Sequence, residues 1–310
     1  MTPALQGVSL QSVPHSDERC VEMPDTATLK PSKPQIPPPA DAVAPTSTPA
    51  RTFAMLSHRG RVRQTNQDAC AALPEHGAFV VCDGMGGAAG GEVASHLASE
   101  TFLNSLAHSR RKPSKTTSSK PLDSAGPYPP NHPRTRLQQA ICAANHAVFQ
   151  RAQRSRALHG MGTTLVALLW DEAPTPTLWL AHVGDSRCYL FRRGALQQLT
   201  LDHSLVEEQV RAGLLSPSQA AQSPIRNIIT RAIGSQPEVE PEIAAHTPEP
   251  GDLYLLASDG LTRELTDVQI ALVLAQASGP TLEAACQALV DAAKKNGGHD
   301  NITVLLVACP

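Results

Sequence analysis

No apolar run in this 310-residue chain approaches the ~20 residues needed to cross a bilayer, and no basic segment leads into a hydrophobic one near the N-terminus. Both absences argue against a membrane span or a secretory leader, so the expected location is cytoplasmic. No charge dominates either: 26 Lys and Arg stand against 28 Asp and Glu, a formal net charge of −2. Without a basic field, neither nucleic acid nor an anionic membrane is suggested as a partner. The seven cysteines (Cys20, Cys70, Cys82, Cys142, Cys188, Cys286, Cys309) are odd in number, scattered and without a CxxC pair. They are expected as reduced residues, mostly in the core, rather than as a disulfide or zinc framework. No internal repeat is evident.

What is present divides along the chain. Residues 1–50 are rich in Pro, Ser, Thr and Ala, with KPSKPQIPPPADAVAPTSTP near their end, and bury too little apolar surface to offset ordering entropy. A disordered tail is expected there, followed by a folded domain over 51–310. A second such stretch, 109–133, interrupts the domain and is expected as a flexible insertion, either a tolerated surface loop or a docking or phosphorylation segment. Elsewhere, helices are expected over 92–108, 136–153, 266–276 and 281–295, and strands over 77–84, 163–170, 177–184, 187–194, 195–200, 252–260 and 301–308. The four consecutive strands from 163 to 200 suggest an antiparallel meander. The grouping predicts an α+β fold with helices packed outside an antiparallel core.

Three of these apolar strands have an aspartate at one end: FVVC runs into Asp83-Gly84, YLLAS into Asp259-Gly260, and Asp300-Asn301 precedes ITVLLVA. One Asp-Gly is most often a turn. Three acids held by strand ends can instead share one sheet edge, which assembles hard oxygen ligands for Mg²⁺ or Mn²⁺. The cations in turn cancel the repulsion between the carboxylates. Glycine at 84 lets backbone approach an ion closely enough for a carbonyl to bind it. A fourth acid, Asp68, follows Arg63 by five residues in RVRQTNQDAC. That stretch alone reads as a basic turn, but arginine's planar fork fits phosphate oxygens. Beside an acid cluster it points to phosphate-ester hydrolysis.

With these residues in place, the chain resembles the metal-dependent serine/threonine phosphatases of the protein phosphatase 2C family in their bacterial form. RxxNQD (63–68), VCDGMGG (81–87), MGTT (161–164), HVGDSR (182–187), DHS (202–204), ASDGL (257–261) and GGHDNIT (297–303) occur in the family's order over about residues 51–310. The resemblance implies a four-layer αββα sandwich, with two antiparallel sheets flanked by pairs of helices and metals at one end. It implies Asp83 as the bridging aspartate, Gly84 as a carbonyl ligand, and Asp259 and Asp300 as the later metal aspartates. Asp68 is implied as a ligand directly or through water, and Arg63 as the phosphate-binding arginine. The segment 205–234 is similar to the family's flap.

The implied reaction is hydrolysis of phosphoserine and phosphothreonine in proteins by a hydroxide bridging two Mn²⁺ or Mg²⁺, without a covalent intermediate and opposing a cognate serine/threonine kinase. No cysteine lies in a CxxxxxR loop, which argues against thiol chemistry. A monomer is expected. The alternatives are a non-catalytic phosphatase-like regulator or scaffold, or a small-molecule phosphoesterase.

Three positions depart from the family pattern. Gln67 stands where many members carry glutamate. Met85 replaces the histidine proposed as general acid in eukaryotic members, so the leaving-group proton must come from water or another residue. Leu158, His159 and Gly160 precede Met161 where an acid would help hold a third metal. Asp185 is expected to support loop geometry rather than bind metal. His182, His203 and His299 sit at motif edges, while His58, His96, His132 and His146 are expected on the surface or in packing.

Overall fold

The computed structural model describes residues 52–87, 89–109, 128–172, 175–276 and 281–310. The expected tail and most of the expected insertion lie outside them. The described chain forms β1 (Phe53–His58), β2 (Asp68–Leu73), β3 (Ala78–Met85), α1 (Gly90–Ser109), α2 (Pro133–Arg154), β4 (Gly162–Thr163), β5 (Leu165–Asp171), β6 (Thr177–Val183), β7 (Arg187–Arg192) and β8 (Ala195–Gln198). There follow α3 (Leu205–Arg211), α4 (Pro217–Ala221), β9 (Glu242–His246), β10 (Leu253–Ala257), α5 (Asp259–Thr262), α6 (Asp267–Leu274), α7 (Leu282–Asn296) and β11 (Ile302–Ala308).

Two antiparallel sheets result. One has the order β1-β11-β10-β7-β8; the other runs β2-β3-β5-β6-β9, with β4 paired to β3. The long apolar runs of the central strands follow from burial on both faces. In β3, Phe79 and Val81 enter the core between the sheets, while Val80 and Cys82 pack on the outer side with Phe102 and Leu106 of α1 and Leu137 and Ile141 of α2. In β11, Leu305 and Val307 face the inter-sheet core, and Val304 and Leu306 pack with Ile270 and Leu274 of α6 and Leu289 and Val290 of α7. These three cores separate four layers, so the expected α+β sandwich of the αββα kind is the observed fold.

The meander is corrected. β5 pairs with β6 and β7 with β8, but the Gly184-Asp185-Ser186 link carries the chain from one sheet to the other. Three strands were not anticipated, for reasons of composition. β2 (DACAAL) is alanine-rich, with low strand propensity, and β9 (EIAAH) is a short sheet-edge strand. β1 is similarly brief and half-exposed. The strand expected to 260 ends at Ala257, and Asp259 opens a one-turn helix instead. Of the described cysteines, Cys82, Cys188 and Cys286 are buried, but Cys142 is exposed, outside the core role expected for it. Among the described residues no helix is long and apolar enough to cross a membrane.

Candidate metal centre

Antiparallel register places Asp68 directly opposite Asp83 across β2 and β3. In the other sheet, Asp259 stands just beyond β10 and Asp300 just before its neighbour β11, so the two acids meet at one end of that strand pair. Arg63 Nη2 reaches Asp300 Oδ2 at 2.8 Å. Asp83, Asp259, Asp300 and Arg63 line one cavity of about 520 Å³, which Asn227 of the 205–234 segment also borders. Asp68 lies behind it, buried.

Two glycines permit this convergence sterically. A Cβ on Gly260 would lie 1.9 Å from the Asn301 carbonyl oxygen, so only glycine lets α5 start against the 300–301 segment. At Gly84 a Cβ would lie 2.1 Å from Gly91 O and 2.4 Å from Gln67 O. Gly84 thus serves the seating of the first turn of α1 and of the Gln67 segment, a role additional to the cation approach inferred from sequence. The Gln67 side-chain amide donates to Gly87 O.

The remaining motif residues fasten the acids. Asp68 Oδ2 accepts from Ser258 Oγ at 2.8 Å and from Thr303 Oγ1 at 2.7 Å. Asn301 Oδ1 accepts from Gln67 N–H at 2.8 Å, and its Nδ2 donates to Arg59 O and Thr65 O at 3.0 and 2.9 Å, stapling the loop that carries Arg63. Thr163 Oγ1 and Thr164 N–H both donate to Asp83 O, and Asp83 N–H donates to Thr164 Oγ1. Arg187 grips Asp202 through two nitrogens at 2.7 to 3.1 Å, which ties HVGDSR to DHS.

Asp185, expected to support loop geometry beside the site, also brings its own carboxylate there. The link between the sheets delivers its buried carboxylate to the same cluster, with Oδ2 at 3.8 Å from Arg263 Nη2. Arg263, not anticipated at all, ion-pairs with Asp259 four residues earlier. The stacked rings of His182 and His203 lie with centroids 4.6 Å apart, behind that link. His203 Nδ1 accepts from Gly184 N–H at 3.2 Å, so its proton sits on Nε2, facing Glu242 at 3.2 Å. Burial, followed by the neighbouring His182, lowers the His203 pKa to about 4, so near pH 7 the ring is uncharged and this contact is a hydrogen bond rather than an ion pair. His182, His203 and Glu242 lie close enough to suggest a second metal site. The Gly184 hydrogen bond opposes it, because Nε2 cannot bind a cation while it keeps that proton. His299 is exposed and paired with Glu264, and His159 is exposed.

Electrostatically the cluster is under-compensated. Among the described residues, the only cations that ion-pair with Asp68, Asp83, Asp185, Asp259 or Asp300 are the guanidinium groups of Arg63 and Arg263. Burial first, with neighbouring carboxylates adding to it, raises the Asp68 and Asp185 pKa values to about 7. Burial and then Asp68 drive Asp83 well above the usual carboxylate range; burial also raises Asp259, against the opposing pull of Arg263. Asp68 Oδ1, Asp185 Oδ1 and Asp259 Oδ1 are buried without a hydrogen-bond partner. Orphaned carboxylate oxygens in an all-oxygen, negatively charged pocket fit a hard divalent cation.

Comparison with known proteins accords with this geometry. The family model described as "Protein phosphatase 2C" matches residues 57–295. The chain is 36% identical over 254 residues to the serine/threonine protein phosphatase PstP of Mycobacterium tuberculosis, covering 82% of this chain but 44% of that protein. It therefore spans less than half the length of that relative. It is 34% identical to the serine/threonine phosphatase stp of Listeria innocua, covering 80% of this chain and 92% of that protein. Among solved structures, the catalytic domain of PstP in complex with 2 manganese ions superposes with a TM-score of 0.66 at 33% identity, covering 83% of this chain and 97% of that one.

Proposed function

Because the chain belongs to the protein phosphatase 2C family, we propose that it hydrolyses phosphoserine and phosphothreonine in proteins, with two Mn²⁺ or Mg²⁺ as cofactors. The observation that carries this reading is the convergence of Asp83, Asp259 and Asp300 on a cavity that Arg63 also lines, with Asp68 buried behind it and orphaned buried oxygens on Asp68 and Asp259. A structural relative bound to two manganese ions supports the stoichiometry. Asp83 would bridge the cations, with Asp259, Asp300 and the Gly84 carbonyl completing their shells and Asp68 acting directly or through water. When bound, such ions lower the pKa of a water and offset phosphoryl charge.

The chain's own residues do the rest. Thr163 and Thr164 fix the backbone of Asp83, and Ser258 and Thr303 hold one Asp68 oxygen so that the other faces the cluster. The Arg63 side chain is 52% exposed, so with Asp300 committed to a cation its fork is available for the phosphoryl oxygens. The described residues lining the cavity include Met85 and no histidine, which leaves water or another residue to supply the leaving-group proton. Asp185 adds an orphaned oxygen beside Asp259, which supports that position over His159 for any weak third cation. The flap bounds an adjoining cavity of about 490 Å³ that shares Asp259 and Arg263, giving room for residues flanking the phosphorylated side chain. The same proposal includes a cytoplasmic monomer opposing a serine/threonine kinase.

Release of phosphate from a phosphothreonine peptide tests the reaction. Activity should require Mn²⁺, vanish with EDTA, fall below detection in Asp259→Ala and exceed activity on nucleotides. Preference for nucleotides would favour a small-molecule phosphoesterase, and inactivity with Mn²⁺ bound would favour a scaffold.

A further inference from the structure

Arg263 stands outside the ligand set assigned above, yet its guanidinium lies within 3.8 Å of three of the acids. Its backbone N–H donates to Asp259 O at 2.8 Å, and the four-residue spacing returns its side chain to that acid. Nη2 ion-pairs with Asp259 Oδ2 and lies 3.8 Å from Asp185 Oδ2, while Nη1 lies 3.8 Å from Asp300 Oδ2. One guanidinium therefore faces three carboxylates at once, and it borders both the acid cavity and the flap-side cavity. Its side chain is only 27% exposed, so solvent screens these contacts incompletely.

We propose that Arg263 is a built-in counter-ion of the cluster, holding the Asp259, Asp185 and Asp300 charges together until a divalent cation displaces it, and so setting the protein's cation affinity. This rests on the reading of the cluster as a cation centre. The competition is for Asp259 Oδ2, which Arg263 holds, while Asp259 Oδ1 is the oxygen left open to a cation. The competition is also electrostatic, since a guanidinium retained nearby repels the incoming ion. Removing the charge should therefore tighten cation binding while leaving the unloaded acids less compensated and the unloaded fold less stable.

Calorimetric titration with Mn²⁺, together with thermal unfolding with and without Mn²⁺, tests this on the full chain, with Arg263→Met and Arg263→Lys set against wild type. Met keeps the aliphatic stem without charge, and is expected to bind Mn²⁺ at least about tenfold more tightly, with a lower Tm before loading and a larger rise on loading. Lys keeps the charge but not the fork, and should fall between the two. Wild-type or weaker affinity in Arg263→Met would overturn the proposal. Should that variant fail to fold, wild-type affinity in Arg263→Lys would overturn it equally, because a single ammonium cannot reproduce three contacts. A folded wild type that takes up no Mn²⁺ would refute the cation centre itself, a result distinct from an unchanged affinity between variants.

Discussion

Replacing Gly260 by alanine adds one methyl group and should nearly abolish activity without unfolding the protein. The new Cβ would lie 1.9 Å from Asn301 O, an atom of the backbone that cannot rotate away. Restoring an ordinary contact takes a displacement of about 1.5 Å between the start of α5 and the 300–301 segment. Those two segments carry Asp259 and Asp300, so the shift falls directly on the cation site. Overpacking of this kind costs about 1–3 kcal/mol, within what a folded domain tolerates. A ~1 Å misplacement of reacting groups costs ~10²-fold, and kcat/KM should fall by at least that factor, together with Mn²⁺ affinity. The assay is phosphopeptide hydrolysis with circular dichroism to establish folding. Gly251→Ala is the control, because its Cβ would meet nothing within 4 Å, while its φ of 87°, unlike that of Gly260, adds backbone strain away from the site. A Gly260→Ala variant that is folded and retains wild-type Mn²⁺ affinity and activity would refute the steric account of the site.

Two further outcomes follow from the same network. Asp68 and Asp185 titrate near pH 7 in the folded protein and near 4 when unfolded, so the folded state binds more protons between those values. Stability of the cation-free protein should therefore fall as pH rises from about 4 to about 7, by up to roughly 4 kcal/mol per carboxylate, and Mn²⁺ affinity should rise over the same window. Denaturant unfolding at a series of pH values checks this; stability that climbs from pH 5 to 7 without cation would contradict it. Asn301→Ala removes three hydrogen bonds to the Arg63 loop, each worth about 1 kcal/mol, so a loss of about 3 kcal/mol is expected with KM raised more than kcat is lowered. An unchanged KM would show that the loop is held by other contacts.

The four principal acids and Arg63 were legible because each is announced locally, by an apolar strand that stops on an acid or by a fixed spacing from Arg63 to Asp68. The layered fold was legible from strands apolar on both faces and helices apolar on one. Asp185 was not, because the Gly-Asp-Ser between two strands carries the same local signal whether it turns a hairpin or crosses between sheets. Only the pairing of β7 with β10 rather than β6 decides the matter. Arg263 was likewise invisible, since its importance depends on a one-turn helix where a strand end was expected. The hydroxyls of Ser258 and Thr303 meet Asp68 across 190 and 235 residues of sequence, a relation no local pattern encodes. The DHS histidine shows the converse, a residue at a motif edge whose ring hydrogen-bonds the Gly184 backbone next to Asp185.

The account stands most directly on cation stoichiometry. Calorimetric titration of the wild-type chain with Mn²⁺ should reveal two sites, and Asp83→Asn, which removes the charge proposed as shared between them while keeping the side chain's shape, should weaken both. Two sites of unchanged affinity in folded Asp83→Asn would contradict the central claim that Asp83 bridges the cations.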